Sequence, residues 1–164
     1  MMEIGLTQDR VALVDDEDFE YLNQFRWCAL KVKNTFYAVR NSVGANGKRM
    51  TVLMHRIINE TPDGLEVDHI DSNGLNNQKN NLRNCTHAQN LRNQKKNKNN
   101  TSGFKGVFWK KDKKKWQASL RVNNKDLHVG YYKDKINAAY AYNDAAIKYY
   151  GEFAKINNTS EVNK

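Results

Sequence analysis

The stretch Gly64 to Asn90, GLEVDHIDSNGLNNQKNNLRNCTHAQN, sets a carboxylate beside an imidazole, Asp68 and His69, between Val67 and Ile70. A run of asparagines follows and ends at Asn90. If the partner is DNA, breaking a phosphodiester needs a nucleophile made from water, neutralisation of developing charge, and help for the leaving oxygen, and these residue types could supply them. An imidazole with an unperturbed pKa of about 6.5 can take a proton from water near neutral pH. Asp68 supplies a carboxylate and Asn90 an amide oxygen. Such a sparse, hard-oxygen donor set suits Mg²⁺, which keeps several waters and takes phosphate oxygens as further ligands, and which would stabilise the pentacovalent phosphate and the leaving 3′ oxygen. One geometric condition attaches. Neighbours on a regular strand point to opposite faces, so Asp68 and His69 serve one phosphate only if the strand twists or ends beside the turn-rich segment Asp71–Asn77.

The elements that must position these groups can be read around them. LEVDHI is a strand, and Asn73-Gly74 is the clearest turn dipeptide of the loop after it. A short strand follows. Thr86 and Gln89 form a capping box that opens a helix from about Thr86 to Gln94, with Asn90 early in it. Upstream, LMHRIIN begins a short helix ended by Thr61–Gly64. Residues 1–50 read as a small α+β piece. Arg10–Val14 is a strand, and Asp15 or Asp16 caps a helix that buries Phe19, Leu22 and Phe25. Thr35–Val43 is a second strand, and GANGK is a hairpin turn before MTVLMH. This piece carries no chemical site of its own, and support of the next segment is its expected role.

Beyond it the style changes. Gln94–Gly103 is polar, charged and free of large apolar residues, as in a linker or an extended basic arm. KGVFW, KWQASLRV and KDLHVGYY are three strands of an antiparallel meander. Then DKINAAYAYNDAAIKYYG is a helix capped by Asp134 and stopped at Gly151. Its apolar face is expected to hold Ala138, Ala139, Tyr142, Ala145, Ala146 and Tyr149.

Charge divides along the same lines. The formal net charge of +9 is not spread evenly: residues 1–50 are neutral, 51–93 carry −1 and 94–164 carry +10. A localised basic surface is the footprint of a polyanionic partner. No apolar run approaches the roughly 20 residues of a membrane span, and the N-terminus lacks signal-peptide features, so a soluble cytoplasmic protein with no membrane partner is expected. Cys28 and Cys85 match neither a metal knuckle nor a disulfide framework and are expected to be buried free thiols.

VDHIDSNGLNNQKNNLRNCTHAQN, with MHRII upstream, resembles the HNH nuclease motif, specifically that of phage-type HNH homing endonucleases. The resemblance implies a ββα-metal core over residues 51–93. By position it makes Asp68 and Asn90 the metal ligands and His69 the general base. It puts Asn81, with Asn77 as the other choice, in the middle position that ties the loop and orients His69. Asn90 stands where many members have histidine, which favours Mg²⁺ or Mn²⁺ over zinc. His55 is expected to be structural and His87 exposed. Arg56 and Arg83 are divided between phosphate contact and structural pairing.

KGVFW, KWQASLR, HVGYY and AAYAYNDAAIKYYGEFAKIN resemble the Apetala2-type domain of ethylene-response factors and of many HNH homing endonucleases. That resemblance implies a three-stranded sheet packed on one helix, laid in the major groove of double-stranded DNA. Phe108 and Ser119 depart from the plant pattern. Expected DNA-binding residues are Arg83, Arg92, Lys95, Lys96, Lys105, Lys110, Trp116, Arg121, Lys125 and His128.

The whole reads as α+β: an extension (1–50), a nuclease domain (51–93), a basic linker (94–102), a DNA-binding domain (103–158) and a tail (159–164). The expected function is metal-dependent hydrolysis of duplex DNA by a monomer or dimer in a bacterial host cell, phage-encoded by resemblance. A non-enzymatic, sequence-specific DNA-binding regulator on a degenerate HNH scaffold is the alternative.

Overall fold

The computed structural model describes residues 1–160; the last four residues of the expected tail lie outside the described residues. The chain divides into two compact units, Met1–Asn90 and Leu91 onward.

In the first unit, β1 (Met2–Gly5) and β2 (Val11–Val14) form an antiparallel pair, followed by helix α1 (Asp16–Leu22). β3 (Cys28–Val32), β4 (Thr35–Val43) and β5 (Arg49–Leu53) form an antiparallel sheet in that order, and the short helix α2 (Met54–Ile58) continues directly from β5. A second hairpin pairs β6 (Glu66–His69) with β7 (Leu82–Cys85), and α3 (His87–Asn93) follows it. The capping box at α3 forms in both directions: Thr86 N donates to Gln89 Oε1 at 2.8 Å, and Gln89 N to Thr86 Oγ1 at 3.3 Å.

Residues 1–50 and the hairpin share one core. Ile4, Val14, Leu22 and Trp27 pack with Met54, Ile58, Val67 and Leu82, so no core boundary falls at residue 50. The extension also grips the loop between β6 and β7. Leu13 N donates to Leu75 O and Asn77 N to Leu13 O, both at 2.8 Å. Asp15 holds the N-cap position of α1, but against the sequence expectation its side chain makes no capping bond there. Its carboxylate instead accepts from Lys79 N at 2.8 Å and Gln78 Nε2 at 3.1 Å, and the Lys79 amide holds its pKa below the usual range. A distant loop with unmet N–H groups outcompeted the local helix end for that acceptor. Cys85 is buried but Cys28 is exposed, because it starts β3 with its side chain on the outer face.

The second unit is a three-stranded meander, β8 (Val107–Lys110), β9 (Lys115–Val122) and β10 (Lys125–Tyr132), packed on α4 (Lys135–Tyr150). Ala138, Ala139, Tyr142 and Ala146 of α4 meet Val107, Ala118 and Leu120 of the sheet. The buried tyrosine at the end of this face is Tyr150, not Tyr149, which is exposed. The 3.6-residue period carries the apolar stripe from Ala146 to position 150, and Tyr150 Oη there bridges Arg121, accepting from its N at 3.0 Å and donating to its O at 2.8 Å. Asp134 caps α4, accepting from Ile136 N at 2.5 Å and Asn137 N at 3.2 Å. Asp134→Ala is expected to lower stability by about 1 kcal/mol, the usual worth of an N-cap, read as a drop in denaturation midpoint with an unchanged m-value. Among the described residues no helix is long and apolar enough to cross a membrane.

Candidate functional site

Strand alternation governs where β6 sends its side chains. Asp68 faces its register partner Arg83, whose Nε and Nη2 donate to Oδ2 at 2.8 and 2.6 Å. Arg83 is therefore spent on a buried ion pair and not held out for phosphate. Glu66, two residues back, shares that face. Its Oε2 accepts from Asn90 Nδ2 at 2.7 Å, and its Oε1 meets His87 Nδ1 at 2.7 Å. Both contacts hold the Glu66 carboxyl below its usual pKa, Asn90 most strongly. Asn90 on α3 thus has its amide nitrogen engaged, which turns its oxygen away from Glu66. His87 is exposed, as expected, but paired.

His69 is the last residue of β6, where the strand ends. Its ring packs against His55 at 5.1 Å and Tyr37 at 5.7 Å between centroids. Its Nε2 lies 3.3 Å from Asn77 Oδ1. The orientation of that amide is set independently, because Asn77 Nδ2 donates to Leu75 O at 3.3 Å and to Met54 Sδ at 3.5 Å. An amide oxygen can only accept, so Nε2 carries the proton and, in the neutral ring, Nδ1 holds the lone pair. Burial lowers the His69 pKa, which keeps the ring neutral at physiological pH.

Of the two asparagines expected to orient His69, Asn77 is the one in contact with the ring, and it is fully buried. Asn81 ties the loop instead: its Oδ1 accepts from Asp71 N at 3.0 Å, and its Nδ2 donates to Asn76 O at 2.8 Å and Asp71 Oδ1 at 3.1 Å. Asp68 and His69 are both buried, at 3% and 5% exposed. The ring of His55 is buried too, with Nδ1 lacking a hydrogen-bond partner among the described residues, and desolvation pushes its pKa down to about 3. Arg56 is structural, donating to the carbonyls of Leu65, Thr61 and Pro62.

Two site residues escaped the sequence reading. Glu66 was findable, since the i, i+2 rule puts it beside Asp68. Tyr37 was not: it comes from β4, and its ring fits only because position 74 is glycine. A Cβ on Gly74 would lie 2.7 Å from Tyr37 Cε1 and 2.5 Å from Phe36 O. Burial raises the Tyr37 pKa, and the charges of Asp68 and Glu66 raise it further.

In the second unit the strand register sorts the expected DNA-binding residues. Phe108, Gln117 and Tyr131 lie in one cross-strand row, Ser119 stands opposite His128, Arg121 opposite Asp126, and Lys110 opposite Lys115. These alternate with the helix-facing Val107, Ala118 and Leu120, so they form the open face of the sheet. His128 and Tyr131 stack there at 4.4 Å. Of the expected members, only Lys110, Arg121 and His128 lie on this face. Trp116 belongs to the helix side, packed on the core and edge-on to Trp109 at 5.2 Å. Lys105 precedes the sheet and is folded back, its Nζ donating to Arg92 O at 2.5 Å and Gln94 O at 2.6 Å. Lys125 is exposed at the hairpin end, opposite Val122. Arg92 lies over the Tyr150 ring at 5.1 Å, and Lys96 Nζ donates to Gly103 O at 2.7 Å.

Among the described residues no three His, Cys, Asp or Glu side chains converge as a metal cage. The carboxylate and amide oxygen of Asp68 and Asn90 still fit a hard divalent ion chemically, provided that Asp68 is shared with or released by Arg83.

Residues 52–92 match the family model described as HNH endonuclease. Over 64 residues the chain is 38% identical to Protein 3.8 of Escherichia phage T7, covering 39% of this chain and 53% of that protein, about half its length. Over 154 residues it is 29% identical to an uncharacterized HNH endonuclease of Acanthamoeba polyphaga mimivirus, covering 94% of this chain and 78% of that protein. No solved structure matches. Residues 52–92 are thus similar to HNH endonucleases, and the relatives reported are viral.

Proposed function

We propose that this protein is a metal-dependent HNH endonuclease that hydrolyses phosphodiester bonds in duplex DNA, of the homing type by resemblance. The observation that carries the reading is the hairpin–helix segment β6–β7–α3, which bears Asp68, His69 and Asn90 and coincides with the matched residues 52–92. This order of elements supports a ββα-metal core as the reading. His69, neutral and with Nε2 against Asn77 Oδ1, is the general base that accepts a proton from the attacking water. A Mg²⁺ or Mn²⁺ ion held by Asp68 and Asn90 would supply charge neutralisation at the phosphate. Glu66 orients Asn90 for that role. The open face of the β8–β10 sheet, in an Apetala2-type domain, binds the duplex through Lys110, Arg121 and His128, with Phe108 and Tyr131 offering apolar contact.

One observation favours the second reading, a DNA-binding regulator on a degenerate scaffold: Asp68 is already neutralised by Arg83. Incubation with supercoiled plasmid separates the two. Nicking or linearisation with Mg²⁺ that stops on chelation and returns on re-addition of the metal is the expected result. Tight binding with no cleavage under any divalent ion would establish the regulator.

A further inference from the structure

Tyr37 reaches the His69 ring from β4, at 5.7 Å between centroids, and lies edge-on to His55 at 5.2 Å. Its ring is held in place from the loop side: a Cβ on Gly74 would lie 2.7 Å from Cε1 and 2.8 Å from Cδ1. Thr35, two residues back on the same face of β4, fixes that loop against the strand, its Oγ1 accepting from Gly74 N at 3.0 Å. All of these contacts use the ring or its neighbours. A phenylalanine would fill the same space, so packing does not account for the hydroxyl.

That hydroxyl is a donor in want of an acceptor. Tyr37 is half-buried, and among the described residues its hydroxyl makes no hydrogen bond, yet its oxygen is not sealed from solvent. Burial raises its pKa and the Asp68 and Glu66 carboxylates raise it further, so the phenol keeps its proton at neutral pH and stands within electrostatic reach of both acids. Other donors of the unit are engaged within the protein. Asn77 Nδ2 donates to Leu75 O and Met54 Sδ, Arg56 to three carbonyls and Arg83 to Asp68. Phosphodiester hydrolysis gathers charge on the non-bridging oxygens, and a preorganised donor beside them stabilises the transition state.

We infer that the Tyr37 hydroxyl donates a hydrogen bond to a non-bridging oxygen of the phosphate that His69 serves, which makes Tyr37 a further catalytic residue. This rests on the proposed nuclease function. The acceptor that the hydroxyl lacks arrives with the substrate, and the contact between the two rings fixes the donor and the base relative to each other.

The test compares the full chain with Tyr37→Phe, which removes only the hydroxyl. On supercoiled plasmid with Mg²⁺ the variant's kcat should fall about 10²-fold, the lower end of the worth of one preorganised donor. KM should stay within about twofold of wild type, because the bond matters most in the transition state, and the thermal midpoint should not move. A second readout does not need cleavage. In protein carrying ring-labelled ¹³C-tyrosine, the Tyr37 signal, identified by its absence from the variant, should shift when random-sequence duplex is added without metal. A variant that cuts as fast as wild type overturns the inference and leaves the nuclease reading standing. A slow variant with a lowered midpoint overturns it too, in favour of a structural hydroxyl. If wild type cuts nothing with any divalent ion, the nuclease reading falls; a Tyr37 signal that the duplex still shifts then upholds the phosphate contact, and an unmoved signal overturns it.

Discussion

His69→Ala is expected to lower the rate of plasmid cleavage by about 10²–10⁴-fold, the usual worth of a positioned general base, while duplex binding stays within about twofold of wild type. The separation follows from where the charges lie. The basic excess belongs to residues 94–164, whereas His69 stands in the first unit against His55, Tyr37 and Asn77. The loss comes from chemistry, because the ring is held in one tautomer by an acceptor whose own orientation is fixed by Leu75 O and Met54 Sδ. Truncating a buried ring also removes packing, so the thermal midpoint is measured on the same preparation. A folded variant that cuts as fast as wild type would remove His69 from the mechanism. Exogenous imidazole gives a second reading, since partial rescue in a folded variant identifies a missing proton acceptor rather than a distorted site.

Gly106→Ala is expected to be the most damaging conservative change in the second unit. Gly106 has φ +71°, and a Cβ there would lie 2.2 Å from Cδ2 and Cε2 of Tyr142 and 2.6 Å from Ser119 O. Neither neighbour can yield cheaply. Tyr142 is in the core under α4, and Ser119 N is bonded to Gly106 O at 2.9 Å, which locks the two backbones together. Positive φ costs an alanine about 1 kcal/mol, and overpacking a core adds about 1–3 kcal/mol or more. A total of about 4 kcal/mol approaches the whole stability of a unit this small. Thermal unfolding should show the second-unit transition lowered by about 15 °C or more, or absent at 25 °C, with duplex affinity lost alongside it. Gly103→Ala is the control: φ is +85° but nothing lies within 4 Å of its Cβ, so only the conformational cost of about 1 kcal/mol applies. Equal shifts in the two variants would show that contact with Tyr142 does not matter.

The local elements were legible because each depends on signals a few residues apart. The capping box Thr86/Gln89, the Asp134 cap, the three aromatic-rich strands and the alanine face of α4 are all short-range patterns, and all of them form. The motif residues Asp68, His69 and Asn90 could be named for the same reason, since their order and spacing are properties of the string.

What the string could not contain is which distant group wins each partner. Asp15 left its helix for Lys79 N, Arg83 closed on Asp68, and Lys105 turned back to the arm carbonyls. Asn77, not Asn81, met the His69 ring. Tyr37 entered the site from β4 through the space left by Gly74. Sequence by itself determined the element types and the candidate chemistry, because periodicity and capping act over one or two turns of chain. Tertiary structure decided which side chains share an environment, because the burial of unsatisfied donors and charges is settled among all groups that the folded core brings within about 3 Å of one another.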